Sequence, residues 1–460
     1  MTFSEIPLPP EIEPGCDLPV IQAPPPGPQS RTWLLRHSVN VPPMGQRPRM
    51  TPRGKAREAS IVYSTGKGSN VLDVDGNRYV DLAAGFGALL LGHAHPRVLK
   101  VLELQAARLT QALGDVYPSE PRVALCERLA RLHPEPGAQV ILGQSGADAI
   151  SAALKTAVLA TGKPGVVAFE GSYHGLSYGP LAASSLRDSY RAPFAAQLNP
   201  NVRFAPYASD AHSLDMALER ARFELARGDV GAVLVEPVLG RGGVVVPPDD
   251  FLPELSRLAA QHSALLIVDE IWTGLGRAGE MLLSAAQGVV PDLICLGKGL
   301  GGGLPMSACI GRGAVMQAWS QEREVVHTAT FAGAPLACAT AIATLDILQR
   351  DHLVQRSAEL GARLSDQLQH AVSRAGSSAQ VRGRGLMLGV DLSGSNSTAS
   401  ASAAGAASRL MRVLLRAGFI TSTGGGERDV LVLTPPLVVG ENQLDAFVAE
   451  LPLALQACGP

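Results

Sequence analysis

Between Val140 and Ile310 short apolar runs alternate with stretches of helical spacing, and that alternation constrains the fold more than any other feature. Val140-Ile-Leu142, Val166-Val-Ala-Phe169, Ala232-Val-Leu-Val-Glu236 and Ala264-Leu-Leu-Ile-Val-Asp269 are too short for helices. They are apolar at successive positions, as a strand covered on both faces is. The intervening segments, Ala147 to Ala160, Leu214 to Arg227 and Phe251 to His262, carry helical spacing. Strands alternating with helices pair as parallel crossover units, so the expectation is an α/β fold with a mostly parallel sheet between helices. In such sheets ligands sit beyond the carboxyl ends of the strands.

Two of those ends carry chemistry. In Pro291-Asp-Leu-Ile-Cys-Leu-Gly-Lys298-Gly-Leu-Gly-Gly-Gly-Leu-Pro305 an apolar run closes on one lysine among five glycines, where backbone can pass close to a ligand. Apolar surroundings disfavour an ammonium, so part of the population is free amine, the form that attacks an aldehyde to make a Schiff base. Asp269 ends another run, and a buried carboxylate there calls for a cationic partner. A protonated pyridine nitrogen is such a partner, so Lys298 and Asp269 together suit pyridoxal 5'-phosphate (PLP). Other readings stay open for the isolated motifs: a lysine snorkelling from a strand end, and a helix cap at Asp269. Gly297, Gly299 and Gly302 with Glu322 downstream also fit a dinucleotide fingerprint. Against that last reading, Met306-Ser-Ala-Cys-Ile310 is a strand pattern where the fingerprint needs a helix.

Asp269-Glu-Ile-Trp-Thr-Gly-Leu-Gly-Arg-Ala-Gly279 followed by Gly297-Lys-Gly299 resembles the class III PLP-dependent aminotransferases, relatives of the ornithine, acetylornithine and 4-aminobutyrate enzymes. The resemblance runs from about Asp73 to Pro436. It implies PLP-dependent transferase fold type I: a large domain with a seven-stranded-type, mostly parallel sheet, plus a smaller α+β domain. It also implies transfer of an amino group from an amino acid or ω-amine donor to a keto acid such as 2-oxoglutarate or pyruvate. Lys298 would hold the cofactor and move the proton, with Asp269 on the ring nitrogen. A PLP-dependent racemase, epimerase or decarboxylase shares that lysine and aspartate, and a non-catalytic cofactor-binding protein is the remoter alternative.

Further residues carry over position by position. Gly143-Gln-Ser145-Gly146-Ala147-Asp148 lies where a strand becomes a helix, and helix-start N–H groups attract anions. An ordinary cap at Ser145 explains the stretch equally well; the resemblance turns Ser145, Gly146 and Ala147 toward the cofactor phosphate. In Phe169-Glu-Gly-Ser-Tyr173-His174 the resemblance makes Tyr173 a ring stacked on the pyridine, with His174 and Glu236 also at the cofactor. His327-Thr-Ala-Thr330 matches the stretch that sends a threonine into the neighbouring subunit's phosphate site, implying a homodimer. Arg382 in Val381-Arg-Gly-Arg384-Gly is the expected receptor of a substrate carboxylate, a task that suits a planar fork. Arg384 reads as a surface charge, and Phe86 as a pocket wall.

Three positions depart from the family pattern. Arg241 stands where many relatives have a glutamate that pairs with the carboxylate-binding arginine, Trp272 replaces a glutamine at the cofactor's phenolic oxygen, and Ala334 replaces an asparagine. If Arg241 and Arg382 lay roughly 5 Å apart, their repulsion at an effective dielectric of 20 would be about 3 kcal/mol. A dicarboxylate lying between them is therefore one expectation, and an Arg241 facing solvent the other.

The expected division is a Pro-rich extension and arm over 1–57, an opening hairpin segment of the small domain over 58–95, the large domain over 96–343, and the rest of the small domain over 344–460. A flexible loop is expected over 393–408, where Ser, Ala, Gly and Asn dominate. The prolines before Ser30 argue against helix or ladder bonds there, and Leu345 to Ala375 reads as one helical stretch. The net charge of −2 gives no hint of nucleic acid. No apolar run is long enough to span a membrane, and the first thirty residues lack the pattern of a secretory signal. Six cysteines without disulfide or metal spacing, and a His93/His95 pair without further ligands, point to a reduced cytoplasmic enzyme with no metal.

Overall fold

A computed structural model describes residues 15–42, 60–321, 324–394 and 405–458. Glu322, the acid of the dinucleotide reading, lies outside these residues, as do 1–14, 43–59 with the end of the expected arm, and most of the expected loop, 395–404.

Among the described residues, fifteen strands form three sheets. An opening hairpin contributes β1 (Tyr63–Lys67), β2 (Asn70–Asp73) and β3 (Arg78–Asp81). The central sheet contains β4 (Gln139–Gly143), β5 (Gly165–Phe169), β6 (Val202–Ala205), β7 (Val230–Val235), β8 (Leu265–Asp269), β9 (Leu293–Leu296) and β10 (Ser307–Gly311). Its order is β4-β10-β9-β8-β7-β5-β6. From β9 to β6 the neighbours are parallel, whereas β10 is antiparallel to both β9 and β4. This is the mostly parallel sheet that the apolar runs predict, with the seven strands that the resemblance implies.

The successive apolar residues of these strands face two cores. Val167, Phe169, Val233, Val235, Leu266 and Val268 pack with Ala217, Leu225, Phe251 and Leu255 of the helices Ala211–Leu225 and Phe251–Gln261. Their neighbours Val166, Ala168, Ala232, Leu234 and Ile267 pack on the opposite face with Ile150 and Ala153 of the helix Gly146–Thr161. Burial on both faces is why period-two alternation is missing from the strand sequences. Phe169, Tyr207 and Phe251 interlock edge to face with centroids 5.1–6.1 Å apart.

Beyond the sheet, the helix Pro335–Arg350 ends at Asp351, and His352, at φ 50°, turns the chain into the helix Leu353–Arg374. The single stretch expected from Leu345 to Ala375 is thus two helices, because no helical residue can sit in the left-handed region. The expected boundary at 343/344 falls inside the first of them. Strands β11 (Gln380–Arg384) and β12 (Met387–Asp391) form a hairpin sheet with β14 (Ser422–Gly424) and β15 (Val430–Leu433), while β13 (Phe419–Ile420) pairs in parallel with β3. The opening hairpin and the C-terminal segment therefore share a sheet. The helix Ala406–Arg416 takes up the last three positions of the expected loop.

The start of the chain departs from expectation. Val20 exchanges both backbone bonds with Arg78 at 2.9 and 2.8 Å, and the helix Pro28–Asn40 begins on a proline. Proline at the first helical position has no N–H to lose, and the Asp75 carboxylate accepts from Gln29 and Ser30 N–H at 2.7 and 2.9 Å. Asp75 belongs to the β2–β3 turn, so a capping partner distant in sequence supports this helix.

One close approach fixes the helix Leu353–Arg374 against the turn between β11 and β12. A Cβ added at Gly361, in the helix Leu353–Arg374, would lie 2.1 Å from the carbonyl oxygen of Gly385, itself at φ +54° between β11 and β12. The variant G361A is expected to destabilise the protein by about 1–3 kcal/mol, the usual range for overpacking, in denaturant unfolding. An unchanged midpoint would mean that this contact relaxes freely.

Candidate active site

The register of the parallel strands sets the site. Asp269, the last residue of β8, lies opposite Cys295 of β9, and Lys298 follows three residues later, so both reach the carboxyl edge side by side. Lys298 has φ +27° and opens a short 3-10 turn to Gly301 that precedes the antiparallel β10. No dinucleotide-type helix follows the glycines, which removes that reading.

Lys298 Nζ lies 4.3 Å from the ring centroid of Trp272. Burial pulls its pKa down to about 8; Asp269 and Glu236 act to raise it, while Arg241 and Arg277 act to lower it. Asp269 is 5 % exposed; its Oδ2 is 2.7 Å from His174 Nδ1, and its Oδ1 accepts from Ile271 N–H at 3.1 Å. With the His174 proton on Nδ1, as the carboxylate directs, the imidazole orients Asp269. His174 Nε2 is buried without a partner.

Glu236 is a clamp. Its Oε1 accepts from Tyr173 N–H and its Oε2 from Gly240 N–H, both at 2.9 Å, so one carboxylate holds the loop after β5 against the loop after β7. Burial raises its pKa. The resemblance puts Glu236 at the cofactor, whereas both of its oxygens are used on backbone. Tyr173 lies at the same edge, its ring edge-on to Tyr190 with centroids 6.3 Å apart.

At the start of the helix Gly146–Thr161, Ser145 Oγ accepts from Asp148 N–H at 3.2 Å, and Asp148 Oδ2 accepts from Gln144 and Ser145 N–H at 3.0 and 3.1 Å. The cap expected at Ser145 is therefore present. It leaves the backbone N–H of Gly146 and Ala147 in the positive first turn of a sixteen-residue helix. A Cβ at Gly146 would lie 2.9 Å from Ile271 Cδ1, so a side chain there would press on Ile271 beside Asp269.

Trp272 is enclosed by glycines: a Cβ at Gly87 would lie 2.4 Å from its Nε1, and one at Gly240 2.5 Å from its Cε3. Its Nε1–H is buried without an acceptor. Phe86, at φ +59°, is exposed. The Arg241 guanidinium carbon lies 5.8 Å from the Phe86 ring centroid and 5.4 Å from that of Tyr173. Arg241 therefore sits between two aromatic rings at the site, and the solvent-facing alternative is set aside.

Arg382 is occupied. Its Nη1 is 2.7 Å from Asp391 Oδ2, and its Nε donates to the Gly243 carbonyl at 2.9 Å. An Arg382 already neutralised by Asp391 removes the repulsion on which the dicarboxylate expectation rested. Arg384 pairs with Asp249, and His93 pairs with Asp81 at 2.9 Å. Thr330 is exposed; its carbonyl accepts from Gln111 Nε2 at 3.0 Å, away from the buried edge. Ala334 caps the helix Pro335–Arg350 through its backbone carbonyl alone.

Two residues that matter here had no assigned role in the sequence. Asp391 is placed diagonally to Arg382 by the β11–β12 register, which pairs Arg382 with Gly389; the hairpin spacing was the available signal. Arg277, in the motif after Asp269, is fully buried and donates from Nη1 to the Leu386 and Pro435 carbonyls at 2.9 and 2.5 Å. Its other two nitrogens lack partners, and burial lowers its pKa.

PLP fits these groups. Orphaned polar atoms at His174 and Trp272, a helix start opened by Gly146, a buried carboxylate and an amine of lowered pKa lie on one sheet edge. Comparison with known proteins agrees. The family model for class-III aminotransferases matches residues 52–455. The chain is 36 % identical over 402 residues to acetylornithine aminotransferase from Methanopyrus kandleri, covering 87 % of this chain and 95 % of that one. It is 37 % identical over 394 residues to the enzyme of that name from Mycolicibacterium smegmatis, covering 85 % and 92 %. Among solved structures, ornithine aminotransferase from Toxoplasma gondii is similar with a TM-score of 0.79 at 30 % identity, covering 93 % and 95 %. A PLP-bound amine transaminase from an uncultivated Pseudomonas species is similar with a TM-score of 0.80 at 28 % identity, covering 89 % and 98 %. On these matches and its own site residues, the chain belongs to the class-III aminotransferases, enzymes that work through pyridoxal 5'-phosphate.

Proposed function

We propose that this aminotransferase takes its amino group from an amino acid bearing an amine at the end of its side chain, with N-acetylornithine as the leading candidate, and passes it to 2-oxoglutarate or pyruvate. The donor rests on the names of the relatives at 36–37 % identity. The observation that carries the chemistry is the amine of Lys298 held beside Asp269 at the sheet edge.

When bound, PLP supplies an electron sink that acidifies the carbon bearing the transferred amine. Lys298 Nζ is the group placed to take that proton and return it, as an amine of lowered pKa can near neutral pH. Asp269, oriented by His174, offers its negative charge to a cationic ring nitrogen. Gly146 and Ala147 present helix-start N–H groups to a phosphate, with Ser145 beside them. Trp272 packs against Lys298 and excludes water. Glu236 holds Tyr173 in place without itself meeting the ring.

The functional unit is a homodimer, with Thr330 completing the neighbouring phosphate site. Three bonds strap the segment 328–332 to residues 111–122: Thr328 to Asp115, Gln111 to the Thr330 carbonyl, and Arg122 to the Ala332 carbonyl at 3.1 Å. Around this strap Leu113, Val116, Tyr117 and Phe331 are each more than 60 % exposed, an apolar patch of the kind that a subunit covers. A cytoplasmic setting accords with six free cysteines. Among the described residues no helix is long and apolar enough to cross a membrane.

Two measurements test this reading. With no keto acid present, N-acetylornithine should abolish the visible band of the bound cofactor, and 2-oxoglutarate or pyruvate should restore it. K298A should slow turnover by about 10²–10⁴-fold. A band that survives every amino donor would contradict transamination. In the cofactor-free protein, the rate of PLP capture should rise with pH and level off above a midpoint near 8, because only the neutral amine attacks. A midpoint above 10 would mean that burial does not shift Lys298.

A further inference from the structure

The family pattern gives Arg382 the substrate carboxylate, and the structure gives Arg382 a different partner. Its Nη1 meets Asp391 at 2.7 Å and its Nε the Gly243 carbonyl at 2.9 Å. Arg241 is the opposite case. Among the described residues no carboxylate pairs with it, and its Nε is buried without an acceptor. The nearby Glu236 is committed to the Tyr173 and Gly240 N–H groups. Arg241 lies 5.4 Å from the Tyr173 ring and 5.8 Å from the Phe86 ring, and a guanidinium stacked on aromatic faces keeps its in-plane donors for a bidentate acceptor.

The backbone bearing Arg241 is itself held. Val244 N–H donates to the Gly240 carbonyl at 3.1 Å, Gly425 N–H donates to the Arg241 carbonyl at 3.0 Å, and Leu239 bridges Val245. Arg382 joins this set by donating to Gly243, two residues after Arg241. The two arginines thus have separate duties.

We propose that Arg241 receives the carboxylate of the keto acid, and that Arg382, neutralised by Asp391, is a positioning residue that holds the turn carrying Arg241. This rests on the aminotransferase reading and goes beyond it by moving the carboxylate site to a residue that departs from the family pattern. One unneutralised guanidinium provides for one carboxylate, which makes a monocarboxylate keto acid of the pyruvate type the better-matched acceptor.

The test uses the full-length, cofactor-loaded enzyme and propionate, which has a carboxylate but nothing to react. Calorimetry on R241Q should show the propionate Kd raised at least tenfold, the loss typical of a charge-assisted hydrogen bond. The pyruvate half-reaction should show KM raised by a similar factor and the saturating rate within about threefold of wild type. R241K should recover part of the affinity, and it also serves if R241Q fails to take up cofactor. The double variant R382Q/D391N, which removes the ion pair whole, should raise the Kd less than R241Q does. An R241Q Kd within threefold of wild type would overturn the proposal, as would a larger loss in the double variant. These results are separable from a failure of the aminotransferase reading, which would show as a wild-type cofactor band unaffected by amino donors while propionate still bound.

Discussion

The structure depends on keeping one amine, Lys298, in a place where its charge is costly. Burial lowers its pKa to about 8, and the Asp269 and Glu236 carboxylates keep the shift from going further. Neither carboxylate is loose: Asp269 is held by His174 and Ile271, Glu236 by the Tyr173 and Gly240 N–H groups. The parallel sheet makes this possible, because pairing Asp269 with Cys295 brings the β8 and β9 ends to one edge. That edge can stay dry only if both sheet faces are covered, which accounts for the two helical layers and the uniformly apolar strands.

Remote parts of the chain converge on the same edge. Arg277, eight residues after Asp269, bonds to the Leu386 and Pro435 carbonyls, and its own carbonyl accepts from Leu386 N–H at 3.0 Å. Gly361 presses on Gly385 from the far side. The β11–β12 hairpin bearing Arg382 is thereby seated against the loop that follows Asp269. From there Arg382 reaches Gly243 and steadies the turn of Arg241. Packing in the C-terminal hundred residues thus bears on where a substrate's carboxylate can lie.

The parts legible in the sequence were those whose cause is local. Apolar runs showed the strands, and a lysine among glycines showed the end of β9. What was not legible depends on partners distant in the chain. The helix Pro28–Asn40 begins at a proline-rich stretch because Asp75 caps it from forty-five residues away. The break at His352 rests on a left-handed residue whose type does not announce it. Arg382 was assigned by its motif to a substrate, and its ion pair with Asp391 emerges only from the hairpin register. Arg241 was recognised as a departure, but its place between Phe86 and Tyr173 required three separate loops to meet.

The most direct test of the account is to load the enzyme with PLP, reduce it with borohydride, digest it and locate the attached cofactor by mass spectrometry. With only six lysines in the chain (Lys55, Lys67, Lys100, Lys155, Lys163 and Lys298), the assignment is unambiguous. The account predicts one modified peptide, carrying the cofactor on Lys298. Cofactor on another lysine, or none retained after reduction, would contradict it.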